Sequence, residues 1–365
     1  MGPGFALSPD VLRVQRTVYR IQPLQDPRWA EFVDRHPRSS VFHTVAWIEA
    51  LRRTYGFEPV VYTTSPPGVA LENGVALCRV HSWVTGRRLV SLPFSDHCQP
   101  LVDGDEDARR LTDALAEALR TESLRYVEVR GGPLPAHLDD LCRSTRDYVF
   151  HELSLQPDLK TLFGNFHKSS TQRTILRAER ERLTYESGRS RALLDAFWDL
   201  LLMTRRRHGI PPQPRIWFRN LIDCFGEALQ IRVAFHGKQP AAAILTIRHK
   251  DTLVYKYACS DEQLNHLGGT QLLLWRSIQE AKRDGLRAFD LGRSDCDNPG
   301  LITFKDRWGS TRSTLTYTRF SASPKSGAFG AAGPGRAGQI AKRLARFLPD
   351  SALRLAGCVL YRHIA

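Results

Sequence analysis

The chain is 365 residues long, 42% hydrophobic and 25% charged, with 52 Lys/Arg against 38 Asp/Glu for a formal net charge of +14. That length favours two domains whose cores need no disulfide or metal, and the charge favours anionic partners such as phosphorylated donors, nucleic acid or acidic membrane. No run of 18 apolar residues occurs, no apolar segment follows a basic start, and seven scattered cysteines include no C-x-x-C; a spanning helix, a secretory signal, a disulfide framework and a metal site are therefore not expected, and a cytoplasmic location is.

Residues 1–15 read as a lead-in. Helical spacing covers 45–55, and short β-rich runs then alternate with Pro66-Pro67-Gly68, Asn73-Gly74 and Thr85-Gly86. A strand pattern over 88–96 ends in Ser95-Asp96, a helix follows over 107–119, and a strand from Leu124-Arg125 ends in Gly131-Gly132. Helices are next expected over 167–183, 190–208 and 214–226. A meander over 229–258 breaks at His236-Gly237-Lys238 and His249-Lys250-Asp251. A strand then ends in Ser260-Asp261, a helix covers 270–282, and a strand runs from Leu286-Arg287 to Arg293.

The two Ser-Asp pairs lie 165 residues apart and the two Leu-Arg pairs 162 apart. A near-constant offset across strand, helix and strand indicates two copies of one α+β unit. The expected domains are 16–155 and 156–320. A Gly/Ala/Ser/Pro-rich linker is expected over 321–339 and a basic amphipathic helix over 340–365. Its stripe of Ile340, Leu344, Phe347 and Leu348 beside Lys342, Arg343 and Arg346 suits either peripheral contact with the inner face of a membrane or packing back on the body.

Particular runs carry a family resemblance. They are Val41-Phe42-His43 through Trp47 to Tyr55-Gly56, His167-Lys168 through Arg177 to Arg180, Arg205-Arg206-Arg207-His208-Gly209, Phe289-Asp290-Leu291-Gly292-Arg293 and Phe304-Lys305-Asp306-Arg307-Trp308-Gly309. Over about 40–320 their order and spacing resemble the FemABX-like branch of the GNAT acyltransferases, tandem-GNAT proteins related to peptidoglycan-branching aminoacyltransferases. The resemblance implies two tandem GNAT-like domains, each a mixed, mostly antiparallel sheet flanked by helices. It also implies an N-acyltransferase that forms an amide on an amino group, in the cleft between the domains, of a cell-envelope or polysaccharide precursor. The donor it implies is acyl-CoA or aminoacyl-tRNA, with no tightly bound cofactor. The long helical hairpin of the tRNA-dependent members has no counterpart, because 190–226 reads as two short helices split by Pro211, Pro212 and Pro214. Nucleic acid is expected as a partner only if tRNA is the donor. The alternative reading is a non-catalytic tandem-GNAT module that binds an anionic glycan or lipid-linked precursor.

Acyl transfer to an amine needs a proton acceptor, a cation where carbonyl charge grows and a cradle for donor phosphates. The resemblance places Lys305 near the reacting carbonyl and Arg293 in the cleft. Asp290, three residues before Arg293, is a candidate base or orienter, and Asp96, which matches Asp261 in the repeat, a candidate cleft acid. Tyr257 is a candidate substrate contact, with Tyr255 in phase and Lys256 opposed on the expected strand. Arg173 and Arg177 share a helix face, and with Arg207 and His208 they are candidate anion contacts. Gly268, Gly269 and Thr270 precede a helix whose bare N–H groups suit phosphate, the place where the resemblance puts the coenzyme A pyrophosphate. Ser95-Asp96-His97-Cys98 is read as neither triad nor metal site, since neighbours on a strand face apart.

Overall fold

The computed structural model describes residues 17–83, 85–132, 141–329 and 347–363. The first half contains β1 (Tyr19–Ile21), α1 (Pro27–Arg35), a 3-10 turn at Val41–His43 and α2 (Val45–Tyr55). The meander β2 (Glu58–Thr63), β3 (Val75–Ser82) and β4 (Gly86–Ser91) follows, then α3 (Asp105–Thr121), β5 (Tyr126–Arg130) and β6 (Cys142–Ser154). Asp26 caps α1 ahead of Pro27, and Thr44 caps α2, which stops at Gly56 in the left-handed region.

The second half opens with α4 (Leu159–Asn165), a π turn at Lys168–Gln172, α5 (Arg173–Arg180) and β7 (Thr184–Gly188). α6 (Arg191–His208) and α7 (Arg215–Phe225) are separate short helices, capped by Ser190 and stopped by Gly209 respectively at the start and end of α6. β8 (Leu229–His236), β9 (Gln239–His249) and β10 (Thr252–Ser260) form the second meander, followed by α8 (Gly269–Arg283), β11 (Ala288–Asp295), α9 (Pro299–Asp306) and β12 (Thr311–Ser321). Among the described residues, α10 (Pro324–Gly327) and α11 (Asp350–His363) follow. The expected strand over 88–96 stops at Ser91, and the expected helix over 167–183 is a π turn joined to α5.

The twelve strands of the described residues form one sheet in the order β1-β2-β3-β4-β5-β12-β6-β11-β10-β9-β8-β7. Exchanging each strand with the one six places away reproduces this order in reverse, as a duplicated unit requires. In each half one parallel pair, β4 with β5 and β10 with β11, is joined through a helix, α3 or α8. The pairings Arg88↔Tyr126 and Thr252↔Ala288 place the copies 164 and 162 residues apart.

The sheet does not divide at 155/156. β6 leaves the first half to pair with β11, and β12 returns to pair with β5, so each copy's sixth strand completes the other's sheet. A buried ion pair fixes the exchange: Glu128 on β5 accepts from Arg319 on β12 at 2.7 Å and from Arg130 at 2.8 Å.

One core spans both halves on one face of the sheet, where α1 and α2 pack with α6 and α7. Trp47 and Trp217 meet edge-on there with centroids 5.3 Å apart. Truncating either buried indole would cost about 3–5 kcal/mol, so the halves are welded rather than hinged. The opposite face carries α3 over the first half and α5 with α8 over the second.

Of the expected 321–339 linker, Ser321 ends β12, α10 packs against β6 and β12, and 330–339 lie outside the described residues. The Ile340 and Leu344 part of the expected amphipathic stripe lies outside them as well. α11 bridges the halves: the Tyr361 hydroxyl donates to Pro211 O at 3.0 Å, and Arg88 and Thr85 both donate to His363 O. A cation at the C-terminal end of a helix also complements its dipole. Gly357 lies against Pro212, and a Cβ there would run into the Pro212 carbonyl. Gly357→Ala is therefore expected to loosen α11, costing about 1–3 kcal/mol; limited proteolysis should release the C-terminal segment faster than in wild type. No helix among the described residues is long and apolar enough to cross a membrane.

Candidate active site

The strand exchange leaves a crevice of about 390 Å³ where the two copies meet. Arg38–Val41, His97 and Gln99 of the first copy form one wall, Phe150 and Glu152 on β6 the floor, and His249–Thr252 with Asp290 of the second copy the other wall. In a chain of net charge +14 this floor is acidic.

Its centre is an acid–base pair. The His97 Nε2–H donates to Asp290 Oδ2 at 2.9 Å, while Asp290 Oδ1 accepts from the Gly292 backbone N–H at 2.6 Å. Both carboxylate oxygens are thus committed and the histidine tautomer is set. His97 Nδ1 has no partner among the described residues and is not one of the buried orphaned polar atoms, so it is open to the crevice. Burial works against a charged imidazole here, but the hydrogen bond to Asp290 and the fields of Asp290 and Asp96 outweigh it, leaving the pKa above the ordinary histidine value. Phe42 and Phe150 hold the ring edge-on at 5.1 and 5.3 Å. Glu152 is exposed to solvent and makes no side-chain hydrogen bond among the described residues. Desolvation, then the Asp290 charge, raises its pKa.

Asp290 and Glu128 are equivalent, facing Val254 and Val90 across the two parallel pairs. In the first copy two arginines neutralise the carboxylate; in the second a histidine does, and the site stays able to exchange a proton.

Asp96 lies between β10 and β11 where their ladder opens, past the pair Val254↔Asp290. Its Oδ2 accepts from Lys256 Nζ at 3.0 Å, and Arg293 lies 4.0 Å away. The Lys256 side chain is 6% exposed, its ammonium 5.1 Å from the Phe42 ring centroid. Arg293 stacks on Tyr148 at 4.2 Å, and the Tyr317 hydroxyl donates to Asp96 O at 2.6 Å.

Lys305 does not line the crevice. It is 3% exposed, on α9, and donates to Gly292 O at 2.8 Å and Arg293 O at 2.9 Å, clamping the irregular turn of β11 that aims Asp290. Burial lowers its pKa to about 8. Its neighbour Phe304 lines a second cavity of about 290 Å³ with Gly269, Thr270 and Gln271 at the start of α8. The N–H groups of these three residues make no backbone bond among the described residues. Gly268 has a packing reason of its own: φ is +82°, and a Cβ would sit 2.9 Å from Thr174 O.

The remaining candidates lie elsewhere. Tyr257 is core, its hydroxyl accepting from Trp217 Nε1 at 2.9 Å. A β-bulge between Tyr255 and Tyr257 breaks the expected alternation. Tyr255 consequently packs on the α8 face and Tyr257 on the α6/α7 face. Arg177 donates to His266 O, Arg207 lies 4.0 Å from Glu262, and Arg173 borders a shallow surface pocket; none of these, nor His208, lines the crevice. Asp261 caps a 3-10 turn and has no role like that of Asp96.

Sequence reasoning passed over His97, Glu152 and Lys256. The Asp96-His97 signal was discounted on strand alternation, but the strand ends at Ser91 and Phe94 turns the chain at φ +61°. Glu152 carried no local signal.

A sheet built from two strand-exchanged copies of one α+β unit is the fold that this chain shares with tandem GNAT proteins. Residues 167–305 match the family described as acetyltransferase (GNAT) domain. The fold is shared with the crystal structure of FemX, at TM-score 0.62 and 13% identity over 80% of this chain and 95% of that one. It is shared also with a tandem GNAT protein from the clavulanic acid biosynthesis pathway, at 0.53 and 12% over 84% and 99%. The C-terminal domain of a putative lysylphosphatidylglycerol synthetase from Agrobacterium fabrum aligns at 0.55 and 15% over 82% and 92%. No curated protein sequence matches the chain.

Proposed function

We propose that the crevice binds a primary amine borne by a cell-envelope or polysaccharide precursor, nucleotide- or lipid-linked, and that His97 takes the amine proton during acyl or aminoacyl transfer. The observation that supports this most directly is the open Nδ1 of a histidine whose other nitrogen is locked by Asp290. Glu152, with its carboxylate unpaired, attracts the incoming ammonium, and Arg38 and Lys250 at the rim face an anionic tail. The amine nitrogen then attacks the acyl carbonyl: the C–N bond forms, the C–S bond of a thioester or the C–O bond of an aminoacyl ester breaks, and the proton passes to His97 and on to the leaving group. Lys305 and Asp96 act as positioning residues through Asp290 and the β10/β11 opening. Acyl-CoA is the donor class we favour, because the unbonded N–H groups at the start of α8 suit its pyrophosphate.

The test is thiol release from acetyl-CoA across a panel of amine-bearing nucleotide sugars and lipid-linked peptides, with aminoacyl-tRNA as a parallel donor. Amine-dependent turnover that His97→Ala abolishes is the expected result. Thermal stabilisation by an acceptor without turnover from either donor would replace the enzymatic reading with a binding module.

A further inference from the structure

Six of the seven tryptophans are buried, whereas Trp83, at the tip of the β3–β4 hairpin, is 85% exposed. Its ring meets that of His363 at the end of α11, with centroids 5.3 Å apart. At the other end of α11, Phe347 is also 85% exposed. Between them Leu355 and Val359 are 67% and 50% exposed. α11 buries Leu353 and Gly357 against the body. Arg354, Leu355, Cys358, Val359 and Arg362, all exposed, recur at helical spacing on the outward face. The result is an apolar strip roughly 20 Å long that the described residues leave exposed.

Its charge selects the partner. From Ser321 to the end of the chain there are seven Lys/Arg and a single acid, Asp350, which is paired with Arg206. At the hairpin, Arg87 and Arg125 are exposed beside Trp83. An anionic bilayer matches an apolar strip and a cationic border at once, aromatic and aliphatic side chains entering the headgroup boundary while arginines meet lipid phosphate.

We infer that Trp83 and the outward face of α11 form a docking surface for an anionic lipid bilayer, with α11 lying in the plane of the headgroups. This surface stands apart from the crevice and does not depend on its chemistry.

The full-length protein should be mixed with vesicles of phosphatidylcholine containing phosphatidylglycerol, and separately with pure phosphatidylcholine. Because Trp83 is the exposed indole, acrylamide quenching reads its environment. Anionic vesicles are expected to shift its emission to the blue and to lower quenching by about threefold or more, with little change on neutral vesicles. Leu355→Asp with Val359→Asp should reduce co-sedimentation by about tenfold or more, with an unchanged thermal midpoint, since both side chains point away from the body. Removing 336–365 is a poorer variant, because it also removes the contacts of Tyr361 and His363. Equal sedimentation with and without anionic lipid overturns the inference, as does equal sedimentation of the double variant. So does a concentration-dependent dimer lost in that variant without vesicle binding, which would assign the strip to a second copy of the chain.

Discussion

Asp290→Asn is expected to lower kcat/KM by about 10²–10³-fold, with His97→Ala at least as severe. The reason is an oxygen count. Asp290 accepts from Gly292 N–H through one oxygen and from His97 Nε2–H through the other. Asparagine has a single oxygen. With that oxygen on the Gly292 amide, its NH₂ faces Nε2, forces the imidazole proton onto Nδ1 and removes the lone pair that takes the substrate proton. The pH profile separates this account from simple misfolding. In wild type, activity should rise with pH through a histidine pKa held above the usual value of about 6.5. Without the Asp290 charge that pKa falls, so residual activity should have its acid limb displaced to lower pH by about one unit or more. A residual limb at the wild-type position would sink the proton-acceptor role of His97. The same pair makes a signed contribution to stability. It is fully present below the unfolded histidine pKa and fades as pH rises through the raised folded value.

The second large effect is on stability. Asp96→Asn should cost about 3–5 kcal/mol, because it leaves the buried ammonium of Lys256 without its counter-ion. Adding Lys256→Met should recover most of that loss, since a flexible apolar side chain suits the space beside Phe42 and Trp47. Urea unfolding of the two single variants and the double variant measures both quantities; a loss below about 1 kcal/mol for Asp96→Asn would show the pair to be solvated. Burial opposes ionisation of Asp96, but Lys256 and Arg293 outweigh it and the pKa is lowered. Stability from this pair is thus present above the unfolded aspartate pKa and lost as pH falls through the lower folded value.

Some elements could be read from local spacing. α2, α6 and α7 match their expected helices closely, because Thr44 and Gly56 mark the ends of α2, Ser190 and Gly209 those of α6, and Pro214 and Gly226 those of α7. The repeated strand–helix–strand segments revealed the duplication, which the reversed strand order reproduces. Where a single residue changes the backbone, pattern reading failed. The bulge at Tyr255/Tyr257 sent two tyrosines assumed to be neighbours to opposite faces. The left-handed turn at Phe94 freed Asp96 and His97 from the alternation imposed on them. Lys305 was conspicuous in its motif, yet its ammonium is turned onto two carbonyls.

By itself the sequence determined that this protein is a duplicated α+β chain, since periodicity, caps and the repeat offset can be read along the chain, while its likeness to tandem GNAT proteins rested on the resemblance of particular motifs. Only the tertiary structure decided which residues share the crevice. His97 and Asp290 are 193 positions apart and meet because β6 and β12 exchange places between the copies. Strand exchange depends on long-range pairing and on burying charges such as Glu128 against Arg319, neither of which leaves a periodic trace in the chain.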